Sequence, residues 1–205
     1  MPYVLTVDQI SSRHRRDAVP AALTTVSDRF PTATVTRTVG DEFQVLFVAE
    51  PVSVVDAILI LMREGAWHLG IGIGPVEEPI PSDLREARGR AFLAAREAVE
   101  EAKDRPAHLR LIAAAPAEQE GQDAEVLLDL VLALRARRSD AGWAAAELAE
   151  AGLTQAAIGA ELGISRQAVN QRLQAAQWTL DARSRPVAAR LLARAEQLAS
   201  GGISA

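Results

Sequence analysis

Six residues in the last quarter of the chain, Ser165, Arg166, Gln167, Asn170, Gln171 and Arg172, recur at a spacing that sets them along one side of a helix. These side-chain types contact phosphates and base edges, and no carboxylate interrupts them, whereas a merely solvated face would mix signs. Ala168, Val169 and Leu173 fall on the opposite side and point inward. A second group offers different chemistry. Asp8 ends an apolar run, and Asp41 with Glu42 follows Gly40 between two further runs. Carboxylates brought close together repel unless a cation lies between them or one is protonated. Hard oxygen ligands of this kind favour Mg²⁺ or Mn²⁺, with water and nucleotide phosphates completing the shell. Spacing alone leaves open a plainer reading, in which Asp41 favours a turn and Asp8 caps the next helix.

The first group must be presented by two short helices. In LTQAAIGAELGISRQAVNQRLQAAQW, residues 153–178, Thr154 caps a helix whose Ala157, Ile158 and Leu162 share one face. Gly163 permits the turn, Ile164 closes it inward, and Ser165 caps the second helix. Gly159 stands where the helices cross most closely. The pattern predicts a helix-turn-helix over 154–178 that lays its second helix in the major groove of double-stranded DNA. A single small module of this kind makes few contacts, so a homodimer is expected. The competing reading is an ordinary helical hairpin. Trp143 and Trp178, which bracket the motif, read as core rather than as base-stacking platforms.

The carboxylates need a sheet to bring them together. Val4–Val7 reads as a strand, followed by a helix over 13–29. Thr34–Val39 and Phe43–Val48 read as a hairpin joined at Gly40-Asp41-Glu42. A helix follows at Val52–Arg63 behind Pro51, then a strand at Trp67–Gly74, a long helix at Leu84–Lys103 and a strand at His108–Ala113. The order βαββαβ, then helix and strand, predicts a ferredoxin-like or palm domain over 1–114 and an α+β chain. A doubly wound parallel sheet is disfavoured, because the tight hairpin connection joins only antiparallel neighbours. APAEQEGQ, 115–122, reads as a linker, and 123–205 as an all-α domain with further helices at 126–137, 144–149 and 186–198. The leucine-rich helix at 126–134 is a candidate dimer interface. Gly70, Gly72 and Gly74 lack the spacing of a dinucleotide loop, and Pro75 follows where a helix should start. His14, His68 and His108, far apart in sequence, read as surface or strand-end residues.

Bulk composition narrows the classes. The formal net charge is −5, yet residues 135–194 hold nine arginines against five acids, a local balance of +4, so the remainder carries about −9. The chain has no cysteine, which excludes disulfides and thiolate metal sites. The opening MPYVLTVDQ lacks the basic and apolar segments of an export signal, and no window is long enough for a bilayer span. A cytoplasmic protein without membrane insertion is expected.

Four segments in chain order, VLTVDQ (4–9), RTVGDEFQVLF (37–47), HLGIGIGPV (68–76) and ARGRAFLAAREAVEEAK (87–103), resemble the first strand, hairpin, later strand and late helix of GGDEF diguanylate cyclases and the wider class III nucleotidyl cyclase fold. With the C-terminal helix-turn-helix, the chain resembles the SatD-like family. The resemblance implies Asp8 and Asp41 as metal ligands, Glu42 as a third acidic group, and Mg²⁺ or Mn²⁺ with a purine nucleotide as ligand. It departs from the cyclase pattern at Val39, which replaces a glycine, at Gln9 and Ile10 on the metal strand, and at Arg16, where a guanine-contacting asparagine would stand. These departures point to a pocket kept for sensing a nucleotide or for assembly, in a transcriptional regulator. The alternatives are a cyclase-type enzyme using Asp8 and Asp41, and a helix-turn-helix that binds protein.

Overall fold

The computed structural model describes residues 1–10, 16–63 and 67–201. His14 lies outside them. Among the described residues the chain is α+β, with one five-stranded mixed sheet and eight helices. In order these are β1 (Pro2–Gln9), α1 (Val19–Arg29), β2 (Thr34–Arg37), β3 (Glu42–Val48), α2 (Pro51–Arg63), β4 (Trp67–Ile73), α3 (Arg90–Ala102) and β5 (Leu109–Ala113). The helices α4 (Glu118–Ala136), α5 (Asp140–Glu150), α6 (Gln155–Leu162), α7 (Arg166–Ala175) and α8 (Trp178–Gly201) follow. No helix among the described residues is long and apolar enough to cross a membrane.

The sheet runs β2-β3-β1-β4-β5, antiparallel throughout except for the parallel β4–β5 pair. Side chains alternate along each strand, so register fixes which residues share a face. One face aligns Tyr3, Leu5 and Val7 with Phe47, Val45 and Phe43 on one side and with Ile73, Ile71 and Leu69 on the other, all fully buried. Aromatic edges lock it: Phe30 meets Phe47 and Phe43 meets Trp67, each at 5.5 Å between centroids. The other face carries Val4, Thr6 and Asp8, opposite Gly72, Gly70 and His68 of β4. Here α3 comes down onto the glycines. A Cβ added at Gly70 would lie 2.2 Å from the Val99 nitrogen, and one at Gly72 2.0 Å from the Ala91 oxygen. The spaced glycines of β4 therefore serve backbone-to-backbone packing.

Several boundaries differ from the sequence reading: α1 is Val19–Arg29 rather than 13–29, α5 is Asp140–Glu150 rather than 144–149, and three further differences have a local cause. The helix expected from Leu84 begins only at Arg90, because Gly89 holds φ at +136° and packs against Pro75 and Val76, where any Cβ would collide. Residues 118–122, read as linker, form the first turns of α4. Glu118 and Glu120 in that first turn suit the positive end of the helix, and Gly121 lets it close on Leu111 and Ala113. The last helix starts at Trp178 rather than Pro186 and carries that proline within it.

The chain divides into two compact units, Met1–Asp129 with the stretch from Val187 on, and Leu130–Pro186. The division falls within α4 and α8, not at 115–122. In the first unit, Glu125 on α4 is buried and accepts from Arg105, Arg110 and the Leu111 amide at 2.6–2.7 Å, tying α4 to β5. Glu196 on α8 receives the Met1 ammonium and the Tyr3 hydroxyl. In the second unit, α5, α6 and α7 close around Ala145, Ile158, Val169 and Leu173, with Leu148, Leu153, Ile164 and Trp178 packed against them.

Candidate functional site

The α6–α7 pair follows from its caps. Thr154 Oγ1 accepts from the Ala157 amide at 3.3 Å, and Ser165 Oγ from the Ala168 amide at 3.1 Å, each such cap contributing about 1 kcal/mol. Gly163 ends α6 in the left-handed region, φ +64°. The Ile164 amide then returns to the Gly159 carbonyl at 2.9 Å. At Gly159 a Cβ would stand 2.8 Å from the Ile164 oxygen, so that glycine is required at the crossing. With Val169 and Leu173 buried, α7 leaves Ser165, Arg166, Gln167 and Gln171 exposed and Asn170 and Arg172 half-buried. Neither Arg166 nor Arg172 makes an ion pair among the described residues. All six residues expected to face DNA thus lie on or at the start of one helix, although Ser165 is engaged as its cap.

The wider positive charge counted in the sequence is distributed differently. Arg190 and Arg194 belong to the first unit, which leaves the second with seven arginines against five acids, a balance of +2. Three of those seven are spent inside. Asp181, with a wholly buried side chain, accepts from Arg138 Nη2 at 2.7 Å and from Arg185 Nε at 3.2 Å, with Arg135 at 3.6 Å. Arg138 also donates to the Ala176 carbonyl, and Arg185 to Glu150. Burial would raise the Asp181 carboxyl, but the hydrogen bond from Arg185 and the charges of Arg135, Arg185 and Arg138 hold it below the usual range. Burial lowers Arg135 to about 10. Arg135 and Arg138 lie 5.0 and 4.7 Å from the Trp143 ring centre, and Arg185 5.5 Å from that of Trp178. The tryptophans, expected in the core, are half-buried and lie against these arginines. Sequence reasoning missed this network because its members are separated by dozens of residues.

The acidic group is partly assembled. Asp8 and Glu42 are register partners on adjacent strands, and the Gln9 amide donates to the Asp41 carbonyl at 3.2 Å. Asp8 and Glu42 each have a partner within the chain, and the Asp41 side chain makes no hydrogen bond or ion pair among the described residues. Asp8 Oδ2 lies 3.3 Å from Lys103 Nζ, and Glu42 Oε1 accepts from the Thr38 hydroxyl at 2.6 Å. Hydrogen bonding to Glu100 and the charge of Asp8 hold the Lys103 ammonium above its ordinary value. Lys103 thus places a positive charge beside Asp8. Among the described residues no group of three or more His, Cys, Asp or Glu is placed to hold one. The parallel pairing of β4 and β5 also brings together two histidines that sequence reading kept apart: His68 and His108 meet at 5.0 Å between centroids, each with a buried Nδ1 lacking a hydrogen-bond partner. Burial and the neighbouring His108 lower the pKa of His68.

The chain matches no family model, no curated protein and no solved structure.

Proposed function

We propose that this chain is a DNA-binding transcriptional regulator in which α6 and α7 form a helix-turn-helix, α7 enters the major groove, and the N-terminal unit is a palm-like sensing or assembly domain. The observation that carries the reading is the outward side of α7. Arg166, Gln167 and Gln171 are exposed and Asn170 and Arg172 half-buried, without a carboxylate among them, on a helix whose angle is set by Gly159 and Gly163. The buried arginines of the second unit weaken any argument from bulk charge, so specificity of side chain and placement must support the reading.

The strand order supports the palm-like half. Read as β4-β1-β3-β2 with all neighbours antiparallel, the first four strands have the arrangement expected of a ferredoxin-like βαββαβ unit, to which β5 adds a parallel edge. This, with the Gly40-Asp41-Glu42-Phe43 hairpin, supports the resemblance to the SatD-like family. Val126 and Leu130 on α4 are 53% and 63% exposed. A single helix-turn-helix makes few contacts, so the reading calls for two copies whose recognition helices meet the DNA one duplex turn, ~34 Å, apart.

Fluorescence anisotropy on duplex DNA across a salt series tests the reading. Arg166→Ala with Arg172→Ala should weaken binding by about 10-fold or more and reduce the slope against log salt by about 2. Unchanged affinity and slope would remove α7 from the interface.

A further inference from the structure

A cleft of about 650 Å³ opens in the first unit between the β2–β3 hairpin and the segment leading into α3. That volume is in the range of small-ligand pockets. Its wall carries Arg85, Arg88, Arg90 and Arg96 against a single acid, Glu77. Arg85 is held by Asp83 through contacts of 2.5–3.0 Å. Arg88, Arg90 and Arg96 make no ion pair or side-chain hydrogen bond among the described residues. Arg16, Arg29 and Arg190 of the same unit likewise make no ion pair among the described residues, but they stand apart from the cleft lining, and other arginines of the unit are held. Arg37 pairs with Asp17, Arg105 and Arg110 share Glu125, and Arg194 reaches Glu120. Three guanidinium groups gathered around one concavity repel one another, and that repulsion is relieved by an anion.

The backbone from which Arg88 and Arg90 project is fixed locally. Gly89, at φ +136°, bridges to Val76, and the Glu77 amide donates to the Arg88 carbonyl at 2.9 Å. A Cβ at Gly89 would lie 2.5 Å from the Pro75 oxygen, so the backbone between Arg88 and Arg90 has one conformation available. Arg96 stands three and four residues after Leu93 and Phe92, which puts all three on one side of α3.

The remaining lining narrows the ligand. Leu84 and Phe92 form a buried apolar floor, whereas Val39 and Leu93 stand at the mouth with 82% and 70% of their surface in water. An inorganic anion has no use for such side chains. A phosphorylated molecule with a flat apolar part has: its phosphates meet the arginines while its ring covers Val39, Phe92 and Leu93.

We propose that this cleft is a binding site for a nucleoside phosphate or a molecule of the same chemistry, held by Arg88, Arg90 and Arg96 without a metal ion. The site uses neither Asp8 nor Asp41, and it does not rest on DNA binding by α7.

The test is calorimetric titration of the full chain, with chelator present, against ADP, GDP, inorganic pyrophosphate, adenosine and a single-stranded oligonucleotide. A nucleoside diphosphate should bind, pyrophosphate about 10-fold more weakly, and adenosine not measurably. Arg90→Ala with Arg96→Ala should weaken both phosphorylated probes at least 10-fold, whereas Arg29→Ala, on α1, should change neither. Leu93→Ser should weaken the nucleotides and spare pyrophosphate, a split that general loss of structure would not produce; circular dichroism of the free variants checks their fold. Failure of every phosphorylated probe to bind, or equal binding by the double variant, would overturn the proposal. Tighter binding of the oligonucleotide than of either diphosphate would overturn it in favour of a strand-binding groove.

Discussion

Around Asp181 in the second unit, three arginines converge on one buried carboxylate, whereas in the cleft at the start of α3 three others stand in water with none. The residue type is the same and the physics is opposite. In the first region the charges have left solvent and are held by mutual attraction, two tryptophan faces and a carbonyl, so each group depends on the others. In the second the charges remain hydrated, and their arrangement adds nothing to folding. Arginine count therefore locates neither structure nor function by itself. Whether a carboxylate stands beside the guanidinium separates the two.

The hardest blow to this contrast is Asp181→Asn. Removing the buried negative charge leaves Arg138 and Arg135 with only the more distant Glu150 to offset them and should cost about 3–5 kcal/mol, read as a fall in the denaturant midpoint. A loss below 1 kcal/mol would mean the arginines escape to solvent and the network is not a unit. Acid titration sharpens the comparison at intermediate size. Asp181 and Glu150 have depressed carboxyl pKa values, so the stability they add is complete above the unfolded value of about 4 and is lost as pH falls through the folded values. His68 has a depressed imidazole pKa, and the unfolded chain takes up its proton first. Stability of the first unit should therefore begin to fall below about pH 6.5. The indole N–H signals of Trp67, against those of Trp143 and Trp178, report the two units separately by NMR; simultaneous change at one pH would contradict the assignment. Smallest of all, Arg90→Ala with Arg96→Ala should shift the unliganded melting free energy by no more than about 0.5 kcal/mol, since both side chains are exposed and unpaired. A large destabilisation would make those arginines structural.

Local chemistry was legible in the sequence, and long-range pairing was not. Thr154, Gly163 and Ser165 act within four residues of their own positions, and their roles are those the spacing predicts. The strand and helix order was likewise readable from periodicity. The start of α3 was not, because ARGRAF continues a helical pattern and only the contact of Gly89 with Pro75 and Val76 breaks it. The 115–122 stretch misled for a related reason: acid and glycine suit a linker, but they suit equally a helix N-terminus pressed against β5. Arg138 and Asp181, 43 residues apart, carry no mark of their pairing. The same holds for His68 and His108, which meet only because β4 and β5 lie side by side.

Gly70 and Gly72 have a mechanical meaning. Where α3 crosses β4, main chain lies against main chain, with no layer of side chains to yield between them. An ordinary helix can slide or tilt by letting its apolar side chains change rotamer, whereas this one has no such cushion. A pull on Arg90, at the start of α3, or on Arg96, midway along it, is therefore delivered to β4 as displacement rather than absorbed as repacking.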